Sequence, residues 1–288
     1  MSSLLRGQRR SRAWASAEHL FIQYCSIREL SHDDSPVGVL LMREIVFELC
    51  AESIDACLIA REAGAKRIEL CSALSEGGLT PSHGLIREAI ARSGLPIHVL
   101  LRPRGGDFVY TDAEFDVMRE DLKHMRSLGA SGVVLGALHN DGTVDVVRTR
   151  ELVDMAGPLE VTFNRAFDNA VPLGQALEDV IAAGCKRVLT SGGACDVVRG
   201  AESLARLVRQ AADRIEIAVG GGLRLENAAA VARATGARHF HGSVRRTVDS
   251  PMLHDRPDML DAAGSPARTR FIVDGGDVRT MIENLSNA

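Results

Sequence analysis

A short pattern of a helix end, a glycine, one or two small residues and a β-branched run recurs along most of the chain. It is clearest in EAGAKRIELC, SLGASGVVLG, AAGCKRVLTSG and ATGARHFHGS, and looser in ARSGLPIHVLLR and DMAGPLEVTF. Each glycine stands where a helix needs a left-handed terminator, and the run that follows it is typical of a strand. The pattern predicts eight strands, near residues 44–50, 67–71, 97–102, 132–136, 159–164, 186–190, 215–219 and 238–241.

Eight such strands separated by amphipathic segments predict an α/β domain, a single (β/α)8 TIM barrel with eight parallel strands. An open doubly wound sheet is the main alternative, but no G-x-G-x-x-G follows the first strand. We expect the barrel core to occupy residues 42–247, after a disordered N-terminal extension over residues 1–41. Residues 248–270, rich in Pro, Asp and Gly, indicate a long loop, and residues 271–288 a C-terminal helix that packs on the barrel.

The composition argues against several classes of function. The 288 residues carry a formal net charge of -4, which does not favour a nucleic-acid partner. No stretch approaches the roughly 20 apolar residues that span a membrane, and no apolar signal segment follows the Arg-bearing N-terminus. None of the 6 cysteines forms a C-x-x-C motif, and a chain of this length does not need disulfides. We therefore expect a cytoplasmic protein.

The predicted barrel interior is polar where a structural barrel would be apolar. Strand side chains alternate between faces, and the face toward the helices must be apolar. This rule turns many polar side chains inward, among them Glu48, Arg67, Glu69, His98, Arg102, Glu160, Thr162, Asn164, Glu216, His239 and His241. Because an unpartnered buried carboxylate costs several kcal/mol, we predict Glu48, Glu69 and His98 as catalytic acid–base groups. The structural alternative is a buried ion network in which Arg67 pairs with Glu48 and Glu69.

The tripeptide Glu-Leu-Cys ends two neighbouring strands and brings two cysteines to the predicted mouth. Cys50 and Cys71 lie at matched positions of parallel strands that are about 4.8 Å apart. Two thiolates at that separation suit a soft ion such as Cu(I), so both are candidate metal ligands. The alternative is that each buried cysteine is a small hydrophobic residue, which is the interpretation we give to Cys57, Cys185 and Cys195.

The loops after the strands carry groups that suit an anion. Arginines flank a proline after the third strand, a further arginine follows the fifth, and glycines follow the seventh and eighth. Many barrels bind phosphate at the last two loops through backbone N–H groups, although glycines also simply turn a chain. The candidate anion-binding residues are Arg102, Arg104, Arg165, Gly221, Gly222, Gly242 and Ser243.

The motifs ELCAES, RIELCSALSEGGLTPS, HVLLRPRGGDFVY, VVLGAL-x-x-DGTVD, VTFNRAFD, RVLTSGG, GGGLR-x-x-N and HGSVRR run in order from about residue 43 to 246. In this set and order the sequence resembles the CutC family. The resemblance implies a TIM barrel, a cytoplasmic location, a homo-oligomer (dimer or tetramer) and a link to copper through Cys50 and Cys71. The chain departs from the family pattern at Asn164, where the family usually has histidine, and at His239, where it often has glutamate.

These observations leave two classes of function open, and with them whether the protein is an enzyme. The first is a copper homeostasis protein that binds Cu(I) through the two cysteines. The second is an enzyme acting on a small anionic metabolite, a class that includes phosphorylated metabolites. In that interpretation Glu48 or Glu69 is the acid or base, His98 a second proton carrier, and the three arginines the anion clamp.

Overall fold

The computed structural model of the protein describes residues 44–254 and 269–288. Its centre is a closed barrel of eight parallel strands, in which the first strand also pairs with the eighth. Strands β1 to β8 are Val46–Ala51, Arg67–Leu70, Ile97–Leu100, Gly132–Leu135, Glu160–Phe163, Arg187–Thr190, Glu216–Gly220 and His239–Gly242. This confirms the predicted TIM barrel. The expected N-terminal extension over residues 1–41 lies outside the described residues.

The segments between the strands form helices α1 to α7, which are Ile54–Glu62, His83–Arg92, Asp112–Ser127, Val146–Ala156, Leu173–Ala183, Ala201–Ala211 and Ala228–Thr235. Short 3-10 segments follow β2 and β5, at Leu74–Glu76 and Arg165–Asn169. Side-chain oxygens of Ser53, Ser82 and Thr111 accept backbone N–H groups in the first turns of α1, α2 and α3. Gly184 and Gly236 end α5 and α7 in the left-handed conformation, with φ of 93° and 70°.

The side chains of the strands separate into two layers, as the alternation rule requires. The outward set, including Phe47 and Leu49 of β1, is buried against the helices in the main hydrophobic core. The inward apolar side chains are fewer and include a small cluster of Cys50, Cys71, Leu100 and Val134. Most of the remaining barrel interior is therefore filled by polar and charged side chains.

The chain after the barrel adds a small sheet and a last helix. Strand β9, Arg245–Asp249, pairs antiparallel with β10, Thr269–Val273, and the guanidinium of Arg245 lies 4.1 Å from the centre of the Phe271 ring. Helix α8, Gly275–Ser286, follows and packs against α1 and α7. The segment expected as a loop thus begins inside one strand and ends inside another, because a long-range pairing orders both ends. Its residues 255–268 lie outside the described residues.

Within residues 44–254 and 269–288, no helix combines the length and the apolar character needed to cross a bilayer.

Candidate functional site

A cavity of about 590 Å³ opens at the carboxyl ends of the barrel strands. Its floor is formed by Cys50, Glu69, Asn164 and His241, which come from four different strands or their ends. Residues after the barrel add to its wall, among them Phe271 of β10 and Met281 of α8. Carboxyl-end cavities are where barrels of this fold carry their ligands, and the volume lies within the range of about 300–1,000 Å³ that is typical of small-molecule sites.

The two predicted metal ligands lie next to each other at this end of the barrel. The sulfur atoms of Cys50 and Cys71 are 3.6 Å apart, and both residues are free cysteines and buried. Cys50 lines the cavity, whereas Cys71 is completely buried behind it. Hydrogen bonding with Cys71 and burial raise the pKa of the Cys50 thiol well above its ordinary value. Cys50 is therefore protonated at neutral pH unless a cation replaces the proton.

Glu48 lies below the cavity and is held by two cationic partners. One carboxylate oxygen pairs with the guanidinium of Arg67, and the other is 2.7 Å from Nδ1 of His241. Burial acts to raise the pKa of Glu48, but Arg67 and His241 outweigh it and hold that pKa well below its usual range. The predicted ion network therefore exists for Glu48 and Arg67, and it also fixes the orientation of the His241 ring.

Glu69 faces the cavity and has no cationic partner of this kind within the described part of the chain. Oε1 accepts a weak hydrogen bond from the Cys50 thiol at 3.7 Å, and Oε2 is buried without any partner. Burial raises the pKa of Glu69 and outweighs the nearby His241 ring, which acts to lower that pKa, while the Glu48 carboxylate adds to the increase. A buried carboxyl group with a free oxygen is able to donate or accept a proton, or to bind a cation.

His241 was predicted to face inward from β8, but it was not among the predicted site residues. Burial acts to lower the pKa of His241, but Glu69 and the hydrogen bond to Glu48 outweigh it and raise that pKa above the ordinary value. Ligand atoms of Cys50, Glu69 and His241 all lie within 4.8 Å of one another. The signal for His241 was its position at the end of β8, on the inward face and beside the first strand.

The predicted anion-binding residues divide into two groups. Arg165, Gly221, Gly222, Gly242 and Ser243 all line the cavity. The Arg165 guanidinium crosses the glycine turn so closely that a Cβ at position 221 would lie 2.9 Å from its Cζ atom. It also pairs with Asp168 at 2.8 Å while its side chain stays 44% exposed. The turn and the arginine thus form one side of the cavity rim.

The guanidinium groups of the two arginines after β3 mainly bond to other groups of the protein. Arg102 lines the cavity, but it donates to the backbone carbonyls of Glu76, Gly78 and Gly106 at 2.7–3.0 Å. Arg104 does not line the cavity and instead pairs with Glu114 at 2.6 Å. The structure therefore does not bring the three predicted arginines together as one clamp.

His98 lies in a lower layer of the barrel and does not line the cavity. Its Nε2 atom is 3.7 Å from a carboxylate oxygen of Glu160, which also pairs with the fully buried Arg187 at 3.1 Å. Arg187 pairs with Glu216 as well, whose carboxylate is 3.5 Å from Nδ1 of His239. This lower cluster fills the amino-terminal half of the barrel with paired charge. The inward position of Arg187 was not predicted from the sequence.

Fold and site together define a (β/α)8 barrel that holds thiol, carboxyl and imidazole groups on the floor of a ligand-sized cavity. Residues 45–246 match the family model described as the CutC family, and the chain belongs to that family. This confirms the resemblance. A family protein CutC of Chromobacterium violaceum is 48% identical over 244 residues, which is 84% of this chain and 99% of that protein. Another, from Xanthomonas campestris pv. campestris strain B100, is 44% identical over 241 residues, which is 84% of this chain and 99% of that protein.

Among solved structures, one from Streptococcus agalactiae that is named for the copper homeostasis protein CutC is similar over 69% of this chain and 98% of its own. Its TM-score is 0.66 and its sequence is 33% identical. A thiamine phosphate pyrophosphorylase from Pyrococcus furiosus has a TM-score of 0.51 at 12% identity, with 85% of this chain and 97% of that chain covered. The latter likeness concerns the barrel fold alone.

Proposed function

We propose that the protein acts in copper homeostasis by binding Cu(I) through Cys50 and Cys71. The observation that carries the proposal is the 3.6 Å separation of two free thiols, one of which faces the cavity. Thiolates are the ligands that Cu(I) prefers among protein groups. The name of the similar Streptococcus agalactiae structure points to the same role.

The pair fits such an ion in both geometry and chemistry. The sulfur atoms, 3.6 Å apart, are close enough to bind one shared ion, since even tetrahedral zinc at a Zn–S distance of about 2.3 Å places two sulfur ligands about 3.8 Å apart. Cu(I) is cargo in this proposal, and its binding must displace the thiol protons. The cavity supplies a path to Cys50, and rotation of that side chain would admit the ion to Cys71.

A Cu(I) competition experiment against a chelator tests this proposal. We expect tight binding by the intact protein and a loss of that binding in the variant Cys50→Ser/Cys71→Ser. Cys195→Ser is the matched control, because Cys195 is an exposed free cysteine. Binding that is weak, or that survives the double substitution, would refute the copper proposal.

The volume of the cavity favours one alternative, an enzyme acting on a small anionic metabolite. A space of about 590 Å³ exceeds what a single ion requires. Glu69 would act as the acid or base, and Arg165 with the Gly221–Gly222 turn would hold the anion. A thermal-shift screen of phosphorylated metabolites, with Arg165→Ala as the control variant, tests it. Stabilisation that is equal in both proteins would contradict this alternative.

The proposal includes a cytoplasmic location and a homo-oligomer. All five cysteines within the described residues are free, which suits a reducing compartment. The oligomeric state is measured directly by light scattering coupled to gel filtration, where a mass of two or four chains would support the expectation and a mass of one chain would contradict it.

A further inference from the structure

Cys50 belongs to two different groups of possible ligands. One is the pair with Cys71 described above. The other consists of Cys50, Glu69 and His241, whose ligand atoms lie within 4.8 Å of one another and which all line the cavity. Cys71 is not a member of this second group and does not line the cavity. We call the group Cys50, Glu69 and His241 the floor triad.

Two features of the triad residues themselves point to a bound cation. The Oε2 atom of Glu69 is buried without a partner in the described part of the chain, although a buried carboxylate oxygen is normally satisfied. In addition, Nδ1 of His241 is 2.7 Å from Glu48. Metal-binding histidines typically give their second ring nitrogen to such a carboxylate, which fixes the tautomer and the ring orientation. Nε2 of His241 then remains for an ion.

The geometry points to a site for a divalent ion, and we propose that the floor triad binds Zn²⁺ with its fourth position open to the cavity. A tetrahedral zinc ion holds sulfur, nitrogen and oxygen ligands about 3.3–3.8 Å apart. The distance from the Cys50 sulfur to Oε1 of Glu69 is 3.7 Å, and the ligand atoms of all three residues lie within 4.8 Å of one another. Three protein ligands and one open position are the arrangement of catalytic rather than structural zinc sites.

The charges of the two groups favour different ions. Zn²⁺ with one thiolate, one carboxylate and a neutral imidazole sums to zero, so the loaded triad adds no net charge to a buried site. Cu(I) with the two thiolates of the cysteine pair leaves one negative charge. Since uncompensated buried charge is costly, the triad is matched to a divalent ion. This inference shares Cys50 with the copper proposal but does not use Cys71, so a substitution of Cys71 separates the two.

Co²⁺, a spectroscopic substitute for Zn²⁺, provides the test. We expect the intact protein and Cys71→Ser to show the same visible absorption of tetrahedral Co²⁺ with a thiolate ligand, and to bind Zn²⁺ with similar affinity. Glu69→Gln and His241→Ala should each weaken Zn²⁺ binding by at least about tenfold, the smallest loss typical even of an outer-shell partner. Cu(I) binding should show the opposite dependence: it should be lost in Cys71→Ser but kept in Glu69→Gln and His241→Ala.

X-ray absorption of the zinc-loaded, unsubstituted protein keeps the test valid if a variant does not fold. We expect one sulfur and two or three nitrogen or oxygen neighbours for each zinc ion. Two sulfurs for each zinc, absence of Zn²⁺ and Co²⁺ binding, or loss of both in Cys71→Ser would overturn the inference. Loss of the Cu(I) result alone would refute only the copper proposal.

Discussion

The protein should lose stability on mild acidification, and replacing His98 with glutamine should make that loss smaller. The His98 ring is buried between the strands, and its Nδ1 atom has no partner within the described residues. Burial lowers the pKa of His98 from 6.5 to about 4, although Glu48 acts in the opposite direction. The native state therefore holds His98 neutral at a pH where the unfolded chain already binds a proton.

The magnitude follows from the two pKa values. Because the unfolded state binds more protons between pH 6.5 and 4, the stability is complete above pH 6.5 and falls as the pH is lowered through that window. Each pH unit is worth about 1.4 kcal/mol. The free energy of unfolding should therefore fall by about 2 kcal/mol between pH 7 and pH 5, and by about 3 kcal/mol by pH 4, through His98 alone.

Urea unfolding of the wild-type protein and His98→Gln at pH 7, 6 and 5 measures this effect as a difference between the two proteins. Titrating groups that do not interact with His98 cancel in that difference, and His139→Gln controls for the loss of a histidine that is largely exposed. The difference in free energy of unfolding should change by about 2 kcal/mol across the series. A difference that stays constant with pH, or an NMR titration of His98 near pH 6.5, would refute the reasoning.

Three other predictions concern the space around a glycine, the hydrogen bonds that hold a loop, and the accessibility of cysteine thiols. Gly132→Ala should destabilise the protein by about 2 kcal/mol, because a Cβ at that position would lie 2.6 Å from the His98 ring. Gly84→Ala should not destabilise it, because the space around Gly84 is open, and thermal unfolding of the two variants tests the difference. Asp168→Asn should cost about 2 kcal/mol in urea unfolding, since its carboxylate accepts five hydrogen bonds from residues 190, 191 and 193. Iodoacetamide should modify the exposed Cys195 well before Cys185, whose pKa burial raises to about 12, as read by mass spectrometry.

The fold could be predicted because its signals are local. Six of the eight strands follow a glycine of positive φ at the end of a helix, and the predicted strand near residues 186–190 corresponds to Arg187–Thr190 in the structure. The alternation of side chains correctly separated Phe47, packed against helices, from Glu48 inside the barrel. The pairing of β9 with β10 was not predicted, because it joins segments about 20 residues apart and neither carries a strong strand pattern.

The site was predicted less completely because the alternation rule gives the face of a side chain but not its depth. It turned Glu69 and His98 inward equally, yet Glu69 lines the cavity and His98 lies in the lower layer. The contacts of the loop arginines were harder still to predict, since their partners come from distant elements. Arg104 pairs with Glu114 of α3 rather than facing the mouth, and that partner is fixed by a loop conformation that its residue types alone do not determine.

A buried ion network accounts for most of the polar side chains inside the barrel. Among the residues that the structure describes, the one inward carboxylate that lies outside this network marks the candidate site. Glu48 pairs with Arg67, and Glu160 and Glu216 pair with Arg187. Glu69 is the one inward carboxylate of the described strands that has no arginine partner, and it is also the one that lines the cavity. A network that served stability alone would have satisfied this group too, because an unpaired buried carboxylate lowers stability. The unpaired carboxylate therefore favours a ligand, rather than packing, as the reason for the polar floor.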